Sequence, residues 1–305
     1  MATISDKLEL AGRNIKLLDK KRLFFVSGIS KSGTTWLERV LDSHPEIICK
    51  GEAHFGSLLE PAIRNTVAEY NARIPRQGNW SRHRKENTTD NSSSSYIYDT
   101  SDLDFLLATA IKLMLVKWAN VDTVKCVGEK TPNNFTYYPL LARLFPDSKY
   151  IYMIRDVRDV IVSAWFYNLA VGSDQMLRQF VSIERYAVHV AKVWAAEVSS
   201  AMTLGRPLGN NYCEIQYENL WQNPEHEVGR LLEFLDVSTS DSVINECLGL
   251  TDFSKLSGGR PRGTENRSSF YRKGVVGDWK NHLDDTSIAE VKNHCGSLMS
   301  ELGYD

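Results

Sequence analysis

Short apolar runs alternate along this chain with longer stretches of helical apolar spacing, the pattern of a parallel sheet joined by crossover helices. Leu23 to Ser27 reads as a buried strand, followed by a Gly/Ser loop and a helix starting near Thr34. Ile47 to Cys49 reads as a second strand. Val124 to Val127, Tyr150 to Ile154 and Tyr212 to Ile215 are further candidates, each followed by a polar turn. The predicted fold class is α/β: one P-loop-like domain over residues 1–305, with a central parallel sheet of about four or five strands flanked by helices and a C-terminal helix. In such sheets ligands collect beyond the carboxyl ends of the strands. The stretch from about 74 to 100 breaks the pattern. It holds Asn-Thr-Thr-Asp-Asn-Ser-Ser-Ser-Ser and little apolar content, so it reads as a flexible surface insertion, with a lid or acceptor-binding loop as the functional version.

Composition narrows the chemistry. With 42% hydrophobic and 24% charged residues the chain has the make-up of an ordinary globular enzyme. A formal net charge of -2 gives no global attraction to nucleic acid or to an anionic membrane, so any anion site is local. The 5 cysteines lie far apart without metal-ligand spacing, which predicts neither a zinc site nor a disulfide framework and fits a reducing, cytoplasmic setting. The first residues lack the apolar core of a secretory signal, and no apolar run reaches the roughly 18 residues that span a bilayer.

Gly28 and Gly33 follow the first strand with the GxxxxG spacing of a phosphate loop, in which backbone N–H groups and a helix N-terminus face an anion. A Walker loop carries lysine directly after the second glycine, but that position is Thr34 here and the lysine lies inside the loop, at Lys31. That displacement suits a donor with one 5′-phosphate and a leaving bond beside it, served by one cation and no metal. Farther on, Ile151 to Ser163 sets a strand, a charged turn and a helix in order. Arg155 stands at the strand end and Ser163 about two helical turns on, a suitable clamp for a terminal phosphate. Asp156, Arg158 and Asp159 read as helix-start charges and ion pairs. Arg272, Lys273 and Gly274 combine two cations with a flexible backbone, a second anion clamp.

These segments resemble the cytosolic sulfotransferases. Lys31-Ser-Gly-Thr-Thr-Trp36 is similar to their 5′-phosphosulfate loop, which implies that Lys31 meets the bridging oxygen, that Ser32, Gly33, Thr34 and Thr35 hold the 5′-phosphate, and that Trp36 stacks near the adenine. The resemblance implies a 3′-phosphate role for Arg155 and Ser163, and another for Arg272, Lys273 and Gly274, within Arg-Lys-Gly-Val-Val-Gly-Asp-Trp-Lys-Asn. Tyr217-Glu-Asn-Leu and Thr251-Asp-Phe253 resemble adenine-side segments, which would place Tyr217, Thr251 and Phe253 there. The implied donor is 3′-phosphoadenosine 5′-phosphosulfate, with 3′-phosphoadenosine 5′-phosphate as product. The family's C-terminal dimer motif is broken around Leu283-Asp-Asp-Thr, so no dimer is carried over.

The acceptor side departs from that pattern. Where the cytosolic enzymes carry a catalytic His, this chain reads Gly128-Glu-Lys-Thr-Pro132, with Pro132 in its place. Gly51-Glu-Ala-His-Phe55 and Glu129-Lys-Thr-Pro-Asn-Asn-Phe135 instead resemble heparan 3-O-sulfotransferases and related carbohydrate and bacterial-type enzymes. That likeness implies Glu52 as general base, with His54 as the other candidate and Lys130 as an orienting cation. A carboxylate suits the task because it is ionised near neutral pH. The acceptor is a small molecule, a carbohydrate or a carrier-bound hydroxyl. The competing readings are a P-loop kinase of a small hydroxyl substrate and a non-catalytic nucleotide-binding protein of the same fold.

Overall fold

The computed structural model describes residues 3–74, 97–118 and 123–304. Most of the insertion expected over about 74 to 100 lies outside these described residues. Five parallel strands form one sheet: β1 (Arg22–Gly28), β2 (Ile47–Gly51), β3 (Cys126–Lys130), β4 (Lys149–Ile154) and β5 (Tyr212–Gln216), in the order β2-β3-β1-β4-β5. β1 lies in the middle and is buried from Leu23 onward. Its alternating side chains enter different apolar clusters: Phe25 joins one with Tyr150, Tyr152 and Trp194, while Phe24 and Val26 join the other with Ile151 and Met153. A strand covered on both faces reads as a continuous apolar run for this reason.

The third strand differs from its expected span of Val124 to Val127. It begins at Cys126 and continues through Gly128, Glu129 and Lys130, all buried. Those residues look like a turn, yet the strand holds because each has a tertiary partner. A Cβ at Gly128 would come within 2.2 Å of the Phe24 ring, so only glycine lets the two strands pass there. The two charged residues are hydrogen-bonded, which offsets the cost of burying them.

The register aligns the carboxyl ends of the strands along one rim: Gly51 and Val26 both sit opposite Lys130, and Ile154 sits opposite Gln216. The helix Thr34–Asp42 leaves this rim from β1, and the helix Val157–Ala170 leaves it from β4. The latter packs on the long helix Ile183–Gly205, which is backed in turn by the C-terminal helix Asp285–Glu301. The chain between about residues 257 and 284 has little regular structure and passes over the rim as a strap. Among the described residues no helix is long and apolar enough to cross a membrane. All five cysteines are buried and free.

Candidate active site

A cavity of about 450 Å³ opens on the carboxyl rim. Its floor is the loop after β1. Gly33 adopts φ +103°, and a Cβ there would lie 2.5 Å from the Tyr217 ring, so glycine is required by both conformation and space. It provides no side-chain cap, leaving the first N–H groups of the helix Thr34–Asp42 uncapped toward the loop. Ser32 Oγ is fully buried with no hydrogen-bond partner. An uncapped helix start beside an orphaned hydroxyl fits an anion. Thr34, Thr35 and Trp36 line the cavity, and Trp36 meets Tyr217 edge-on at 5.6 Å.

Lys31 occupies the left-handed region at φ +72°, a conformation that costs a non-glycine residue on the order of 1 kcal/mol or more. Its Nζ lies 3.9 Å from the centre of the Tyr167 ring and 4.3 Å from that of Phe270. Burial, aided by the nearby Arg155 charge, lowers the Lys31 pKa to about 8.

On the other side of the loop, the Arg155 guanidinium is largely covered, with 11% of its side chain exposed, and lies 4.2 Å from the centre of the Tyr217 ring. It donates to the Lys31 carbonyl at 3.1 Å and the Val275 carbonyl at 3.4 Å, joining the loop to the strap. Its Nε is buried without a partner, a second orphaned donor beside the cavity. Ser163 lines the same wall. Thr251 also borders the cavity but donates its hydroxyl to the Cys247 carbonyl at 2.8 Å. Phe253 packs against Gly274, where a Cβ would come within 2.3 Å of its ring. Arg272 and Lys273 reach the cavity wall, yet both cations are engaged inside the strap by Asp278; Lys273 does so at 2.6 Å. Burial by itself would raise the Asp278 carboxyl, but bonds from Lys273, Arg272 and Asn281 hold it well below the usual range. Asp156 pairs with Arg158 at 2.7 Å as expected. Asp159, in the first turn of the same helix, lies 3.9 Å from Arg155 and also accepts the backbone N–H groups of Gly277 at 2.7 Å and Trp279 at 3.1 Å, fastening the strap to the helix below.

The β2 and β3 ends supply the opposite wall. Glu52 Oε1 accepts from Lys130 Nζ at 2.6 Å, and its Oε2 is 3.6 Å from His54 Nε2. Lys130 also lies 3.3 Å from Glu38 Oε2 and 3.5 Å from Thr35 Oγ1, so one buried ammonium links two carboxylates to the start of the helix after β1. Glu52 lines the cavity, as does Pro132, while Lys130 stands behind Glu52. His54 adopts φ +52° at the edge of this group. Burial pushes the Glu129 carboxyl up to about 7, against the bonds from Thr131, Ala53 and Asn134 that favour its ionised form.

Residues 24–241 match the model of the sulfotransferase family. This chain belongs to that family. It is 23% identical to protein-tyrosine sulfotransferase 2 of Gallus gallus over 295 residues, covering 93% of this chain and 69% of the relative. It is 31% identical to sulfotransferase 1A1 of Rattus norvegicus over 195 residues, covering 55% of this chain and 63% of the relative. Among solved structures, a mouse sulfotransferase complexed with PAP aligns with a TM-score of 0.57 at 17% identity, covering 95% of this chain and 90% of that one. A sulfotransferase from Mycobacterium avium aligns with a TM-score of 0.53 at 11% identity, covering 98% and 81%.

In this sulfotransferase the residues singled out from sequence converge on one cavity or stand immediately behind it. Several neighbours were missed. Tyr167 is four residues beyond Ser163 on one helix, and so on the same face, which is the signal that would have found it. Glu38 holds a corresponding place on the loop helix, one turn after Thr34. The rest of the missed contacts, Asp159 to the strap and Phe270 to Lys31, join segments remote in sequence.

Proposed function

We propose that this sulfotransferase takes 3′-phosphoadenosine 5′-phosphosulfate as donor and transfers its sulfuryl group to a hydroxyl acceptor by metal-free in-line displacement. The observation that carries the reading is the gathering of Lys31 and Glu52 on one cavity with Arg155 and the rings of Trp36 and Tyr217. The fit of a phosphate on the loop side is supported by the orphaned Ser32 Oγ and by the uncapped helix start. Trp36, Tyr217 and Phe253 offer rings for the base. Arg155 and Ser163 serve the 3′-phosphate. Gly274 gives the strap its close turn there, and Arg272 and Lys273 add positive potential from their pairs with Asp278. Glu52 takes the acceptor proton as the acceptor oxygen bonds to sulfur. Lys31 supplies positive charge at the oxygen that leaves with the product 3′-phosphoadenosine 5′-phosphate. Lys130 orients Glu52, and His54 is placed to receive the proton afterwards.

The kinase reading is disfavoured by Thr34 in the Walker lysine's place. For the acceptor, the cavity around Lys31 and Glu52 is walled by Tyr167, Tyr186, Phe270, Tyr271 and Pro132, which favours a flat, apolar hydroxyl compound such as a phenol over a free sugar. The five thiols are buried and free, which is compatible with a reducing setting. The test is transfer of radiolabelled sulfate from the donor to a panel of phenols, sugars and carrier-bound alcohols. Loss of about 10²–10³ in kcat in Lys31→Ala is expected. Transfer that is unchanged in that variant, or nucleotide binding that prefers ATP–Mg²⁺, overturns the reading.

A further inference from the structure

The geometry points to Glu129 and Thr131 as positioning residues: a buried bracket that holds the backbone beside Glu52, and so aims that carboxylate. The inference rests on the reading of Glu52 as base. Glu52, Ala53 and His54 leave the end of β2 without regular structure, and His54 is in the left-handed region at φ +52°. Two hydrogen bonds tie this segment down. The Ala53 N–H donates to Glu129 Oε1 at 2.9 Å, and the His54 N–H donates to Thr131 Oγ1 at 3.3 Å. The acceptors are themselves joined, since the Thr131 hydroxyl donates to Glu129 Oε1 while Asn134 Nδ2 donates to Glu129 Oε2 at 2.6 Å.

Glu129 is wholly buried and does not line the cavity. A buried carboxylate bears a desolvation cost, which here is offset by the bonds from Ala53, Thr131 and Asn134. What the carboxylate does that an apolar group cannot is accept the Ala53 N–H. Strand alternation completes the arrangement. Adjacent residues of β3 point to opposite faces, so Lys130 grips the Glu52 carboxylate at 2.6 Å while Glu129 grips the following peptide. The base is thus held at its head and at its backbone by consecutive residues. Misplacing a reacting group by about 1 Å costs on the order of 10² in rate, which is the scale of effect a lost bracket would have.

The test compares Thr131→Val, Glu129→Ala and Glu129→Gln in steady-state kinetics, with calorimetric binding of the product nucleotide as the second readout. Thr131→Val and Glu129→Ala should each lower kcat about 10- to 100-fold, leaving the donor KM and product affinity within about twofold. Glu129→Gln should recover most of the loss. Its amide oxygen still accepts the Ala53 N–H, and Asn134 can turn its own amide to match. Unchanged kcat in Thr131→Val and Glu129→Ala overturns the bracket, as does a parallel fall in kcat and nucleotide affinity. Glu52→Gln separates the two ideas. Its inactivity together with full activity of the bracket variants rejects the bracket alone, whereas an active Glu52→Gln rejects the base assignment and the bracket with it.

Discussion

The Lys31 ammonium sits 3.9 Å from the centre of the Tyr167 ring, with Phe270 of the strap on another side and no carboxylate paired with it among the described residues. The rings favour the cation, worth about 0.5–2 kcal/mol in such contacts, while the water they exclude disfavours it. The exclusion prevails, since the net direction is a pKa lowered to about 8. Charge stabilisation at a leaving oxygen needs the protonated amine. With limiting donor, kcat/KM should therefore decline as pH rises through about 8, and a pH profile of kcat/KM measures this on the free enzyme. Phe270→Leu opens the site to water, so its alkaline limb should move to higher pH.

Glu52 is predicted to govern chemistry without governing donor binding. Glu52→Gln should cut kcat by about 10²–10⁴. Product nucleotide affinity, read by calorimetry, should stay within about twofold of the parent, because Glu52 contacts Lys130 and His54 rather than the far end of the cavity.

Gly33→Ala combines a conformational penalty with a clash. At φ +103° the new Cβ would lie 2.5 Å from the Tyr217 ring, on the wall of the nucleotide cavity. A loss of about 1–3 kcal/mol in chemical denaturation is expected. Nucleotide binding should weaken further than the stability loss alone would explain, because Tyr217 must shift.

Asp159 is the peg of the strap. Asp159→Ala leaves the Gly277 and Trp279 N–H groups without their acceptor, at a cost of about 1–3 kcal/mol if they stay buried. The strap should then open more often. Limited proteolysis should cut within about residues 257 to 284 sooner than in the parent, and product nucleotide should leave faster in a displacement assay.

Four strands were legible as short, mainly apolar runs, with β5 interrupted by Glu214, and β1 is the clearest since both its faces are covered. The end of β3 was not. Gly128, Glu129 and Lys130 resemble a turn in isolation, and only Phe24, Ala53 and Glu52, all distant in sequence, explain their burial. The loop after β1 was legible from a local fact, the position of Lys31 relative to Gly33. Its aromatic cage was not, because Tyr167 and Phe270 approach from separate segments. Arg272 and Lys273 were recognised as cations, but nothing short of the folded strap shows that Asp278, five residues beyond Lys273, already holds both.

The strand order β2-β3-β1-β4-β5 gives the molecule two territories. Glu52 and Lys130 issue from the strands on one flank of β1, and Arg155 and Tyr217 from those on the other, with Lys31 on the border. The acceptor wall straddles them: Glu52 and Pro132 come from the first, Tyr167 and Tyr186 from the second. Exchanging the segments after β2 and β3 for those of a related enzyme should therefore replace the base and one side of that wall while the rings that follow β4 stay in place, so the order of the sheet divides the proton-accepting group from most of the surface that the acceptor meets.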